Sequence, residues 1–111
     1  MPSHIYISLS NRSLHLYQDE QLVNEYPVGI GKPETPTPIG QYNIIEKIDN
    51  PPEGMGSRWM RLSVINSCIH GTNEPSSIGG LVSGGCIRMH NKDIEELFGK
   101  VEVNTPVTIN P

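Results

Sequence analysis

At 111 residues the chain has room for one compact domain with a modest core and little space for a second. Eight Lys and Arg against twelve Asp and Glu leave a net charge of −4, with no basic run, which argues against a nucleic-acid partner. No stretch approaches the ~18 apolar residues of a membrane span, and two cysteines are too few for a disulfide scaffold.

The opening "MPSHIYISLS" lacks the basic region, long apolar run and small-residue cleavage site of a secretory signal. That is the pattern of a protein that stays where it is made, or of a mature form already relieved of its signal. Within it, Ile5, Ile7 and Leu9 alternate with Tyr6 and Ser8, a period of two that predicts a strand. "RSLHLYQ" follows with Leu14 and Leu16 on one face, and "QLVNEYPV" answers across a polar turn at residues 18–20. Together they predict a three-stranded antiparallel opening. His4 and His15 fall at outward strand positions and are expected to have no chemical role.

"GIGKPETPTPIGQY" then carries three prolines and three glycines in fourteen residues, a stiffened loop that serves either as a connector or as the rim of a cleft. "YNIIEKI" resumes extended structure, "DNPPEGMGS" breaks it, and "RWMRLSVI" and "SCIHG" read as two more strands. "EPSSIGGLV" predicts one helical turn near Pro75. The main helix is "NKDIEELFGK": Asn91 as N-cap, Asp93 and Glu95 toward the positive end, Gly99 as terminator, and Ile94, Leu97 and Phe98 on the apolar side. "TPVTIN" ends the chain as a strand.

Groups suited to chemistry concentrate between Cys68 and His90. A cysteine nucleophile needs an imidazole to hold the thiolate and backbone N–H groups facing the developing oxyanion. His70, at the end of an apolar strand and just before Gly71, is the candidate base for Cys86. Gly84 and Gly85 let the backbone turn tightly ahead of Cys86, Ser83 can hydrogen-bond within that turn, and Arg88 falls on the same side as Cys86 if the segment is extended. There Arg88 can favour the thiolate or meet a substrate carboxylate. On residue types alone the bland alternative stays open, a small buried thiol in a glycine-rich turn. So does a zinc site built from Cys68, His70, Cys86 and His90, although alternate residues on one strand make a poor chelating pair.

The block "IHGTNEPSSIGGLVSGGCIRMHNKDIEEL" closely resembles the signature of the L,D-transpeptidase catalytic domain, the YkuD family, with "VGIGKPETPTPIGQY" and "RWMRL" similar to its upstream motifs. The resemblance covers nearly the whole chain and implies one catalytic domain, residues 1–111. It implies a mainly β, sandwich-like fold of two mixed sheets with one main helix. It also implies transpeptidation, or L,D-carboxypeptidation, of peptidoglycan stem peptides through a cysteine thioester, with no metal and no cofactor, and a covalent adduct with carbapenems. By position, Cys86 matches the nucleophile, His70 the base, and Gly71 the carbonyl that orients the imidazole. Gly85 and Cys86 match the oxyanion donors, Ser83 and Arg88 the flanking site residues, and Thr72 and Gly84 the cleft lining. The substrate implies a place outside the cytoplasmic membrane, in the cell wall or a spore envelope. Many members carry a larger residue where this chain has Gly84. Cys68 stands two residues before His70 and is expected to pack, the alternative being an inhibitory disulfide with Cys86 under oxidation. A non-catalytic wall-binding module on the same fold is the rival to an enzyme.

Overall fold

In the computed structural model, which describes residues 2–64 and 67–111, the alternating segments become ten strands. The first three, β1 (Ser3–Ser8), β2 (Ser13–Gln18) and β3 (Gln21–Pro27), form the expected antiparallel opening, with Ile5, Ile7, Leu14 and Leu16 fully buried. Asp19 and Glu20 between β2 and β3 take φ of 51° and 67°, the left-handed pair that a two-residue hairpin turn requires. There follow β4 (Ile30–Gly31), β5 (Gly40–Ile48), β6 (Trp59–Leu62) and β7 (Cys68–Thr72). After a 3-10 turn at Pro75–Ser77 come β8 (Leu81–Ser83), β9 (Ile87–His90), helix α1 (Asn91–Lys100) and β10 (Pro106–Asn110). The predicted strand "RWMRLSVI" ends at Leu62, and its Ile65 lies outside the described residues.

Strand pairing runs continuously in the order β3-β2-β1-β10-β5-β6-β7-β9. β5 is the hinge of that order. Its first part pairs with β10, from Gly40 opposite Ile109 to Asn43 opposite Pro106, and its second part pairs with β6, from Ile44 opposite Leu62 to Ile48 opposite Trp59. One strand thereby passes from one mixed sheet into the other, with an irregularity between Ile44 and Glu46. Each half contains one parallel pair, β1 with β10 and β7 with β9. The mainly β, two-sheet arrangement with one main helix is the one expected. Unanticipated is a small parallel pair, β4 with β8, formed out of the two glycine-rich segments.

α1 lays Ile94 and Leu97, both fully buried, against β7 and β9. Two of its boundaries differ from expectation. Asn91 is the first helical residue rather than the N-cap; His90 takes that place and makes no side-chain cap bond. Gly99 lies inside the last turn, and the chain leaves through extended Val101. Lys47 does the terminating work instead, donating to the carbonyls of Phe98 (2.7 Å) and Val101 (2.6 Å) with its Nζ 4.2 Å from the Phe98 ring centroid. A cation on freed C-terminal carbonyls complements the helix dipole and removes the need for a left-handed glycine.

Candidate active site

The chemistry-bearing side chains meet on one face of three adjacent strands. Trp59 stands opposite His70 and His70 opposite Arg88, across β6, β7 and β9. The next row holds Arg61 opposite Cys68, with Cys86, one residue before β9, bonded to Cys68. Cross-strand partners share a face, and alternate residues along a strand return to it after about 7 Å. The opposite face is apolar: Met60, Leu62, Ile69, Ile87 and Met89 are at most 1% exposed. A one-residue slip would turn all of them outward, so the core locks the register of the polar rows.

His70 is 7% exposed, and its Nδ1 lies 2.6 Å from the carbonyl oxygen of Gly71. A carbonyl can only accept, so Nδ1 carries the proton and Nε2 keeps the lone pair. Burial holds the imidazole below its ordinary pKa; the Gly71 carbonyl opposes that shift, and the Arg88 charge adds to it. The neutral ring is thus favoured, as a general base requires.

The peptide that orients this ring is clamped. A Cβ on Gly71 would strike Oδ1 of Asn91, and a Cβ on Gly56, at φ 69°, would strike the Gly71 backbone. Only glycines permit that close approach. Asn91 Oδ1 accepts the Ser57 N–H (2.9 Å), and Asn91 Nδ2 donates to Asn73 Oδ1 (2.7 Å). The side chain expected to cap a helix instead ties two loops to the end of β7.

The turn that presents Cys86 is organised by Ser83, which is 3% exposed. Its Oγ donates to the Cys86 carbonyl and accepts the Gly85 N–H (3.1 Å), while Gly85 takes φ 125°. Ser83's own carbonyl accepts Thr35 Oγ1 (2.9 Å) and the Lys32 N–H (3.1 Å), so the proline-rich loop straps the turn from outside. Arg88 exchanges both backbone bonds with Gly29, at 2.8 and 2.9 Å. The proline-rich loop therefore braces the cysteine turn.

An oriented buried imidazole thus stands two strand positions from a serine-braced cysteine turn, in a chain that is similar to known proteins. The L,D-transpeptidase catalytic domain (YkuD) model matches residues 2–109. The chain belongs to the L,D-transpeptidase family. A putative L,D-transpeptidase YkuD of Bacillus licheniformis is 47% identical over 111 residues, all of this chain and 67% of that protein. The Ldtfm–avibactam carbamoyl enzyme superposes with a TM-score of 0.89 at 29% identity, over 100% of this chain and 49% of that one. The catalytic domain of the E. faecium L,D-transpeptidase acylated by ertapenem does so with a TM-score of 0.82 at 29% identity, over 98% of both chains. The fold is that of the L,D-transpeptidase catalytic domain, and the chain is a cysteine-dependent L,D-transpeptidase. The family acts on peptidoglycan, outside the cytoplasm, and among the described residues no helix is long and apolar enough to cross a membrane.

Against this transpeptidase frame, Cys86, His70, Gly71, Ser83, Gly85 and Arg88 all come together, with three differences from expectation. First, Cys86 is disulfide-bonded to Cys68, their Cα atoms 4.6 Å apart, so Cys68 does more than pack. Second, the Gly85 N–H is turned onto Ser83 Oγ in this state, not toward an incoming oxyanion. Third, Thr72 is 9% exposed and its Oγ1 accepts the Glu74 N–H (3.0 Å), so its hydroxyl shapes a turn and not a cleft wall. Gly84 is exposed, and a Cβ there would meet nothing within 4 Å. The zinc alternative loses its ligand set: the two sulfurs are bonded to each other, and among the described residues no three His, Cys, Asp or Glu groups converge.

An open cleft of about 590 Å³ reaches both cysteines and is walled by Trp59, Arg61, Met55, Ser67 and Ile45 among others. Trp59 and Arg61 were not singled out by residue type. Their signal was the two-residue spacing in "RWMRL", which puts both on the face shared with His70 and Cys68. A larger hollow, about 750 Å³, lies on the outer side of β1 and β2 beside His4, Tyr6 and Tyr17, well along the strand order from the cysteines.

Proposed function

We propose that the chain is one catalytic domain, residues 1–111, that forms 3→3 cross-links between peptidoglycan stem peptides. His70 Nε2 takes the proton from Cys86 Sγ, and the thiolate attacks the carbonyl of the diamino acid at the third stem position. The Cys86 N–H receives the oxyanion, and Gly85, freed from Ser83 Oγ, supplies a second donor. His70 returns the proton to the departing D-alanine, leaving a thioester on Cys86. A side-chain amine of an acceptor stem attacks the thioester and gives the cross-link; water in its place gives the carboxypeptidase product. Arg88, opposite His70, holds the thiolate and the substrate carboxylate, while Gly84 borders the entry. Carbapenems acylate the same sulfur.

One observation carries this reading: His70 and Cys86 share a face, and Nδ1 is pinned to Gly71 so that Nε2 is the free base. A disulfide in the chain fits an oxidising place outside the cytoplasm, such as the cell wall or a spore envelope. The test is incubation of the reduced protein with a disaccharide tetrapeptide, with and without an acceptor stem, followed by mass analysis of products. Loss of D-alanine and a cross-linked dimer are expected, both absent for Cys86→Ala. Turnover by Cys86→Ala would sink the assignment.

A further inference from the structure

We infer that Cys68 and Cys86 form a redox-modification site: a dithiol that closes to a disulfide and withholds the nucleophile, and that a dithiol reductant reopens. The consequence for activity rests on Cys86 being the nucleophile, as proposed above; the site itself does not.

The pairing is built into the sheet. Ile69 is opposite Ile87 on parallel strands, so the residue before each, Cys68 and Cys86, are neighbours. The buried isoleucines beneath them fix that register, and the Cα separation of 4.6 Å lies within the usual disulfide span. Closure therefore needs no movement of the strands. A cysteine serving only as a small packing residue has no reason to stand at the one cross-strand position that faces the nucleophile.

The two sulfurs differ in access. Cys68 is 3% exposed, whereas Cys86 is half-buried at the open cleft. An incoming thiolate therefore meets the Cys86 sulfur more readily than that of Cys68. Its attack forms a mixed disulfide there, breaks the Cys68–Cys86 bond, and releases Cys68 as a thiolate that takes a proton. The reductant's second thiolate then attacks its own sulfur in the mixed disulfide, freeing Cys86 as a thiolate beside Arg88 and His70. The protein gains two electrons and two protons, one on Cys68 and one shared by the Cys86–His70 pair, and the reductant leaves as a disulfide. Closure is the reverse, with a disulfide as oxidant. Because Cys68 is the more buried of the two, it is the lesser target and is placed to resolve an oxidised Cys86.

The test uses the whole protein, treated with oxidised dithiothreitol or with a phosphine reductant and then freed of either. Thiols are counted by alkylation, and ertapenem adducts are read by intact mass. Wild type should show no free thiol and no adduct after oxidation, both thiols and full adduct after reduction, and recovery when the oxidised sample is reduced. Cys68→Ser should keep one thiol and form the adduct after either treatment; Cys68→Ala makes the same test if the serine variant does not fold. Two free thiols in oxidised wild type, unchanged adduct formation by wild type whose thiols have closed, or equal loss in the Cys68 variants would overturn the inference. Thiols that close and reopen in a protein never acylated when reduced would support the redox site and refute the transpeptidase reading.

Discussion

The role of Asn91 can be tested apart from the nucleophile. Asn91→Ala removes the acceptor for the Ser57 N–H and the donor to Asn73 Oδ1, at 2.9 and 2.7 Å. Leaving a partly buried N–H without a partner costs about 1 kcal/mol at the lower end of its range, and the second, exposed bond adds a comparable amount. The sum is about 2 kcal/mol. For a domain of this size that lowers the melting temperature by about 8 °C. The same change frees the loop that packs on Gly71, whose carbonyl orients His70, so ertapenem acylation of the reduced protein should slow by roughly tenfold through misplacement of the base. Scanning calorimetry and stopped-flow acylation measure the two effects. A variant that melts within a degree of wild type, or one that melts earlier yet acylates at the wild-type rate, would refute the clamp.

His70 is neutralised by burial, so the folded state binds fewer protons than the unfolded chain below the ordinary imidazole pKa of about 6.5. Stability should therefore be complete above that pH and fall as pH drops from there through the lowered folded value; urea midpoints of wild type against His70→Gln read the difference, which a flat comparison would contradict. Gly84→Ala should leave stability and acylation unchanged because its Cβ meets open space. Gly85→Ala, forced to φ 125°, should cost about 1–3 kcal/mol and slow acylation, both read on the same two assays. Lys47→Met should lower the melting point by several degrees, since two helix-end carbonyls lose their donor at about 1 kcal/mol each. The rate of acylation in that variant should not change.

Much of the architecture was legible in the order of residues. Period-two alternation marks β1 and β2 because half-buried strands must put apolar side chains on one face, and Ile5, Ile7, Leu14 and Leu16 are buried as that pattern requires. The "IHG" and "SGGCIRM" segments pointed to a candidate base and a candidate nucleophile, since that chemistry uses those residue types beside glycine. The short strands β4 and β8, of two and three residues, escaped because so short a pair has no period of its own; it forms when the proline-rich loop is strapped onto Ser83. Asn91 looked like a cap because capping residues and loop clamps are the same residue types, and only the neighbouring loops at Ser57 and Asn73 choose between them.

What the chain order determined by itself is therefore the local alphabet: strands, turns, one helix, and a cysteine with a histidine sixteen residues before it. Tertiary structure decided which side chains face one another. Strand register is a property of two segments at once, set by the isoleucines they bury together, and it placed Trp59 beside His70 and Cys68 against Cys86. No spacing along the chain encodes that second contact. It exists because β7 and β9 lie parallel, and it turns an apparent packing cysteine into the partner of Cys86.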